Sequence, residues 1–71
     1  MEKFGEKLRI LRQRRGLTQK ELGDMLNVHQ THVWRLEQDK KTPHVAMVLK
    51  IAELFGVTPN DLILDELELE E

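Results

Sequence analysis

Residues 17–37 read LTQKELGDMLNVHQTHVWRLE, and this stretch decides the fold. It predicts two short helices joined by a tight turn. Thr18 caps the first, and Glu21, three residues on, completes a capping box. Leu22 and Leu26 stand one turn apart on the buried face. Asn27 falls where the chain must turn sharply, and asparagine is, after glycine, the residue most willing to take a left-handed backbone. Val28 returns to the core. The second helix runs from about His29 to Glu37, with Val33 and Leu36 inward. That leaves Gln30, Thr31, Trp34, Arg35 and Gln38 on one outward stripe, spaced i, i+1, i+4, i+5, i+8. An amide, a hydroxyl, an indole and a guanidinium on one face suit the reading of base edges in a major groove.

Outward from this pair, the pattern stays helical and no strand is expected. Helix 1 runs from about Lys3 to Arg15, with Phe4, Leu8 and Leu11 as its buried stripe at i, i+4, i+7. Gly16 ends it, and Leu17 supplies the hydrophobic contact that follows such an ending. Gln38-Asp39-Lys40-Lys41-Thr42-Pro43 is a polar loop. Helix 4 runs from about His44 to Phe55, with Val45, Val48, Ile51, Ala52 and Phe55 inward, and Gly56 stops it. Thr58-Pro59-Asn60-Asp61 starts a fifth helix, reaching to about Leu64: a capping threonine, a proline at the first helical position and an acid in the first turn. The expectation is one all-α, compact five-helix domain over residues 1–64, with an acidic C-terminal tail over 65–71. The tail alternates leucine and acid, which fits a short edge strand or a helical extension, and most simply a frayed, solvated end.

Read together, these residues resemble the phage-repressor and Cro type of helix-turn-helix protein. The resemblance is carried by Gly5, Leu8, Leu11, Arg12 and the Leu17-Thr18-Gln19-x-x-Leu22 block. It continues through Val28, Val33, Leu36-Glu37, Pro43, Ile51-Ala52, Phe55-Gly56-Val57 and Leu62. It covers about residues 4–64, and a match including the flanking helices in order is far more specific than a lone helix-turn-helix. The resemblance implies a small DNA-binding transcriptional regulator with helix 3 in the major groove. It also implies that Arg12 and Glu37 form a largely buried ion pair joining helix 1 to the end of helix 3.

Composition bounds the alternatives. One domain of 71 residues has no room for a deep substrate cleft, and its stability is modest. There is no cysteine, hence no disulfide framework and no thiolate metal site. No apolar run is long enough to span a membrane, and the start, MEKFGEKLRI, lacks the apolar segment of a signal peptide; a cytoplasmic protein is expected. Net charge is −2, yet residues 1–45 carry ten Lys/Arg against six Asp/Glu (+4), and residues 46–71 carry one against seven (−6). Such asymmetry suggests one face for an anionic partner and an acidic end held away from it.

Each candidate residue has a functional and a plain reading. Arg35 is the first candidate for base reading, since arginine pairs bidentately with guanine. Gln30 suits adenine, and Thr31 a thymine methyl or a base edge; both lie at the end of helix 3 that enters the groove. Trp34 stands where the family often has a small residue. Its indole packs on thymine methyls or sugars, folds over its neighbours' stems, or serves as a protein-contact anchor. The resemblance assigns Gln19, at the start of helix 2, to a phosphate, where the helix N-terminus also offers N–H groups. His32, Lys40, Lys41 and Thr42 are further candidates for phosphate, against a plain reading as solvated side chains that need no partner. Gly23 replaces the family's usual alanine and remains small. His29 stands where the family has a capping serine, leaving the first turn of helix 3 to Thr31 or to fray. His29, His32 and His44 invite a metal reading, but no suitably spaced acid or cysteine completes a site, and none is expected. Neither a catalytic constellation nor a cofactor or small-molecule site is visible, so an enzyme is not expected.

One recognition helix covers few base pairs, so a homodimer on a near-palindromic operator is expected. Leu49 and Leu54 flank the buried stripe of helix 4, and with Ile63, Leu64 and Leu67 they are the candidate dimer surface. A restriction–modification controller and an antitoxin-like repressor are narrower forms of this reading. The different class is a protein-interaction module on the same fold, binding through Trp34 or the tail and only weakly to DNA.

Overall fold

The computed structural model describes residues 3–64. Five helices follow in order: α1 Phe4–Arg14, α2 Gln19–Leu26, α3 Gln30–Glu37, α4 Val45–Phe55 and α5 Pro59–Ile63. No strand occurs among the described residues. The expectations for Leu67 and the acidic tail lie outside them.

Four helices end in the same way, on a residue in the left-handed region: Gly16, Asn27, Asp39 and Gly56, with φ of 65°, 61°, 56° and 68°. The next N–H then reaches back five residues to a carbonyl: Leu17 to Arg12, Val28 to Gly23, Lys40 to Arg35 and Val57 to Ala52, at 2.8–3.1 Å. Each closure satisfies carbonyls that the helix leaves unpaired. Three of the four also turn an apolar residue (Leu17, Val28, Val57) onto the core. α5 starts as its sequence predicts, with Thr58 and Asp61 in a reciprocal capping box.

The core gathers Phe4, Leu8 and Leu11 from α1, Leu22 and Leu26 from α2, and Val33 and Leu36 from α3. It is completed by Met47, Val48, Ile51, Ala52 and Phe55 from α4 and Leu62 from α5. α3 packs between α2 and α1, while α4 spans from α2 to α5. One expectation fails. Val45 lies on the apolar stripe of α4 but is 74% exposed, and Met47 is buried instead. Helical periodicity fixes the direction in which a side chain points, but not whether a neighbouring element exists at that level along the axis.

A basic side chain closes the end of α5, and two more bind carbonyls at the ends of α2 and α4. Lys7, buried on α1, donates to the carbonyls of Asp61, at 2.7 Å, and of Leu64 at the end of α5. Lys50 donates to Leu26 O at 3.0 Å, at the end of α2. Arg15 donates to Phe55 O at 3.2 Å, at the end of α4, with its guanidinium 5.5 Å from the Phe55 ring centre. Cations at helix C-termini meet unpaired carbonyls and the negative end of the dipole. Part of the positive charge counted for an anionic partner is therefore spent inside the molecule.

Candidate nucleic-acid interface

The α2–turn–α3 corner is built from local rules. Thr18 Oγ1 accepts the Glu21 N–H at 3.0 Å, and Glu21 Oε1 accepts the Thr18 N–H at 2.9 Å, completing the expected capping box. Asn27 takes the left-handed turn. A Cβ at Gly23 would lie 2.7 Å from the Val28 carbonyl oxygen, so the turn folds back onto α2 at glycine distance. His29 then does what a capping serine does. Its Nδ1 accepts the Thr31 N–H at 3.0 Å, and the Thr31 hydroxyl lies 3.0 Å from the same nitrogen. The first turn of α3 is thus held by His29 rather than by Thr31. This cap requires an Nδ1 without a proton.

The inner side of α3 packs on α2 and α1. Val33 and Leu36 are fully buried. One turn on, Glu37 receives Arg12 Nε on Oε2 at 2.6 Å and Arg12 Nη2 on Oε1 at 3.1 Å, with its side chain 1% exposed. Arg12 Nη1 also donates to Leu17 O at 2.9 Å, tying the end of α1 to the same centre. Below this, the α1 backbone meets the end of α3 directly: a Cβ at Gly5 would lie 2.4 Å from Glu37 O. The Gly5 N–H donates to Asp39 Oδ1 at 3.0 Å, so the residue that ends α3 also caps α1, which has no side-chain cap from Lys3.

The outer side carries none of this. Gln30, Thr31, Trp34, Arg35 and Gln38 are all exposed, Trp34 at 42%. Lys40, Lys41 and Thr42 are exposed just beyond. His32 is half-buried at the flank, and partial burial, then the positive charges of Lys41, His44 and Arg35, hold its pKa below the ordinary histidine value. The effect reports a cationic corner beside α3. Gln19 is placed differently: its Nε2 donates to Glu37 Oε1 at 3.2 Å. Among the described residues no cluster of three His, Cys, Asp or Glu could hold a metal, and no helix is long and apolar enough to cross a membrane.

A family profile described as "Helix-turn-helix domain" matches residues 3–63. The chain belongs to this helix-turn-helix family. Among its relatives are the HTH-type transcriptional regulator ImmR of Bacillus subtilis, 32% identical over 60 residues, and the HTH-type transcriptional activator BcrR of Enterococcus faecalis, 35% identical over 63. The aligned parts cover 84% and 89% of this chain but 47% and 31% of those proteins, so the chain spans half their length or less. The crystal structure of the P22 c2 repressor protein in complex with synthetic operator 9T superposes with a TM-score of 0.82 at 22% identity, covering 89% of this chain and 96% of that one. That likeness confirms the expected five-helix fold.

The helix-turn-helix thus brings the four candidate base readers onto one exposed surface, with Lys40, Lys41 and Thr42 beyond its end. Two of the candidate dimer residues, Leu49 and Leu54, do not share a face of α4. Leu49 is 52% exposed, whereas Leu54 is half-buried and lines an open groove with Met25, Leu26, Lys50 and Glu53. Five residues of helix separate them by about 140°. Ile63 packs partly on the core and Leu64 is exposed. The sequence reading missed Asp39 and Lys7. Lys7 falls three residues after Phe4 on the buried stripe, and that charge at a core position was the available signal.

Proposed function

We propose that this helix-turn-helix binds double-stranded DNA sequence-specifically, as the DNA-reading part of a transcriptional regulator. α3 lies in the major groove, about 12 Å long at 1.5 Å per residue, against a groove about 12 Å wide. One observation carries the reading: Gln30, Thr31, Trp34 and Arg35 stand exposed together on a helix capped at one end, closed at the other and bolted along its inner side. A backbone already fixed before binding loses little entropy on it. The relatives' names, transcriptional regulator and transcriptional activator, and the operator complex of the structural neighbour support it.

In this reading Arg35 takes guanine, Gln30 adenine, Thr31 a base edge or methyl, and Trp34 the methyls and sugars beside them. His32, Lys40, Lys41 and Thr42 meet phosphates, as does Gln19 at the N-terminus of α2. Two copies read a near-palindromic site with half-sites about one helical turn apart. The contact between copies draws on Leu49, Leu54, Ile63, Leu64 and Leu67, of which Leu49 and Leu64 are exposed and Leu54 lines the groove beside Lys50.

Selection of bound duplexes from a random pool tests the reading, because enriched sequence and half-site spacing appear together. Salt titration adds a second test. Neutralising Lys40 and Lys41 should weaken all duplexes alike and flatten the log–log salt slope by about 0.9 per lost contact. No enrichment, and no salt dependence, would refute DNA binding.

A further inference from the structure

Glu37 does more than pair with Arg12. Its Oε1 is shared: Arg12 Nη2 lies at 3.1 Å and Gln19 Nε2 at 3.2 Å. A carboxylate oxygen only accepts, so the Gln19 amide must present its nitrogen, and its carboxamide plane is thereby set. Glu37 sits at the last turn of α3, and Gln19 at the first turn of α2, 18 residues away. The acceptor itself is 1% exposed and held by two guanidinium nitrogens. Gln19, by contrast, is only half-buried. Its amide spends one N–H on Glu37 and keeps the other. Around it, the first-turn N–H groups of α2 lack intrahelical acceptors, and the Thr18 side chain takes only that of Glu21.

We propose that Glu37 is a positioning residue for DNA binding: it holds the Gln19 amide at the N-terminus of α2, so that the remaining N–H meets a backbone phosphate together with the helix's first N–H groups. The buried Arg12–Glu37 pair is then part of the phosphate clamp as well as of the core. This rests on the DNA-binding reading above. It adds the coupling between a buried carboxylate and a phosphate-facing amide. The gain is entropic, because a glutamine side chain that is already fixed loses less rotamer freedom when it meets the phosphate.

The test compares two variants that both lack the ion pair. Arg12→Met/Glu37→Gln retains a carbonyl oxygen for Gln19 Nε2, whereas Arg12→Met/Glu37→Leu offers none. Apolar replacement of both ion-pair partners is generally tolerated, and melting curves check that each variant folds. On the selected duplex, the leucine variant should bind about three- to tenfold more weakly than the glutamine variant, the size of one hydrogen bond. Adding Gln19→Ala should cost the glutamine variant the same factor and the leucine variant nothing. Equal affinities for the two variants, or an undiminished Gln19→Ala loss in the leucine variant, overturn the proposal. Side-chain amide exchange in the wild-type protein free of DNA decides the matter independently, even where a variant does not fold. One slowly exchanging Gln19 Nε2 proton is expected, and two freely exchanging protons contradict the latch. A wild type that binds no duplex refutes the DNA reading and with it the proposal, whatever the amide shows.

Discussion

The two sides of α3 are made of the same eight residues and serve opposite ends. Toward the core, Val33, Leu36 and Glu37 are buried, an arginine of α1 is paired bidentately, and the backbones of α1 and α3 meet across Gly5. Toward solvent, Gln30, Thr31, Trp34 and Arg35 are exposed, and Trp34 leaves a large apolar surface uncovered. The contrast separates what holds the helix from what the helix offers. Substitutions on the inner side should act on stability, and substitutions on the outer side on binding, where surface changes cost the fold less than about 0.5 kcal/mol.

The largest effect expected is on the inner side. Arg12→Ala leaves the Glu37 carboxylate buried without its cation, at a cost of about 3–5 kcal/mol. That is a large part of the stability of so small a domain, so a denaturant melt should show a much lower midpoint or no folded baseline. A melt that overlays the wild type would erase the distinction between the two sides. Gly5→Ala comes next. Its Cβ meets the backbone oxygens of Glu37 and Leu36 at 2.4 and 2.6 Å, which cannot move as a flexible side chain would. Overpacking of this kind costs about 1–3 kcal/mol, and the same melt measures it.

His29→Ala sits on the boundary between the sides. Loss of the cap on the Thr31 N–H should cost about 1 kcal/mol of stability and raise amide exchange at Thr31 before it does so at Leu36. Uniform exchange across α3 would show that the cap is idle.

The smallest effect sharpens the comparison through pH. His32 has its folded-state pKa held below the ordinary 6.5, so the folded chain binds fewer protons than the unfolded chain between the two values. Its contribution to stability is therefore present above about 6.5 and declines as pH falls toward the folded value. A phosphate beside it reverses the sign. DNA raises the pKa again, binding takes up a proton, and affinity rises as pH falls. His32→Gln should remove both slopes, readable as the difference between variant and wild type in melts and in binding at pH 5.5 and 7.5. Matching pH profiles would show that the cationic corner does not meet phosphate.

The same contrast explains what the sequence could convey. Much of the local grammar was legible: the Thr18–Glu21 box, the turn at Asn27, the stop at Gly56 and the start at Thr58-Pro59 depend on residues within a turn of one another. The outer stripe was legible for the same reason, since helical spacing alone places Gln30, Thr31, Trp34 and Arg35 together. Contacts that span the chain were not. Asp39 capping α1 from 34 residues away, Lys7 closing α5 and Gln19 turning to Glu37 depend on which helix ends the fold brings together. Val45 was misplaced because a stripe gives an azimuth and not a neighbour. His29 was discounted because serine is the usual cap, although an imidazole nitrogen accepts the same N–H.

The central claim is that the outer side of α3 reads bases. Selection from one random duplex pool with the wild type and with Arg35→Ala, at the same salt, tests it most directly. The arginine variant should retain the half-site spacing and most base preferences, lose the preference for guanine at one position in each half-site, and bind the wild-type site about 1–3 kcal/mol more weakly with little change on random DNA. Identical enriched sequences for both proteins, or equal losses on cognate and random duplexes, would contradict it.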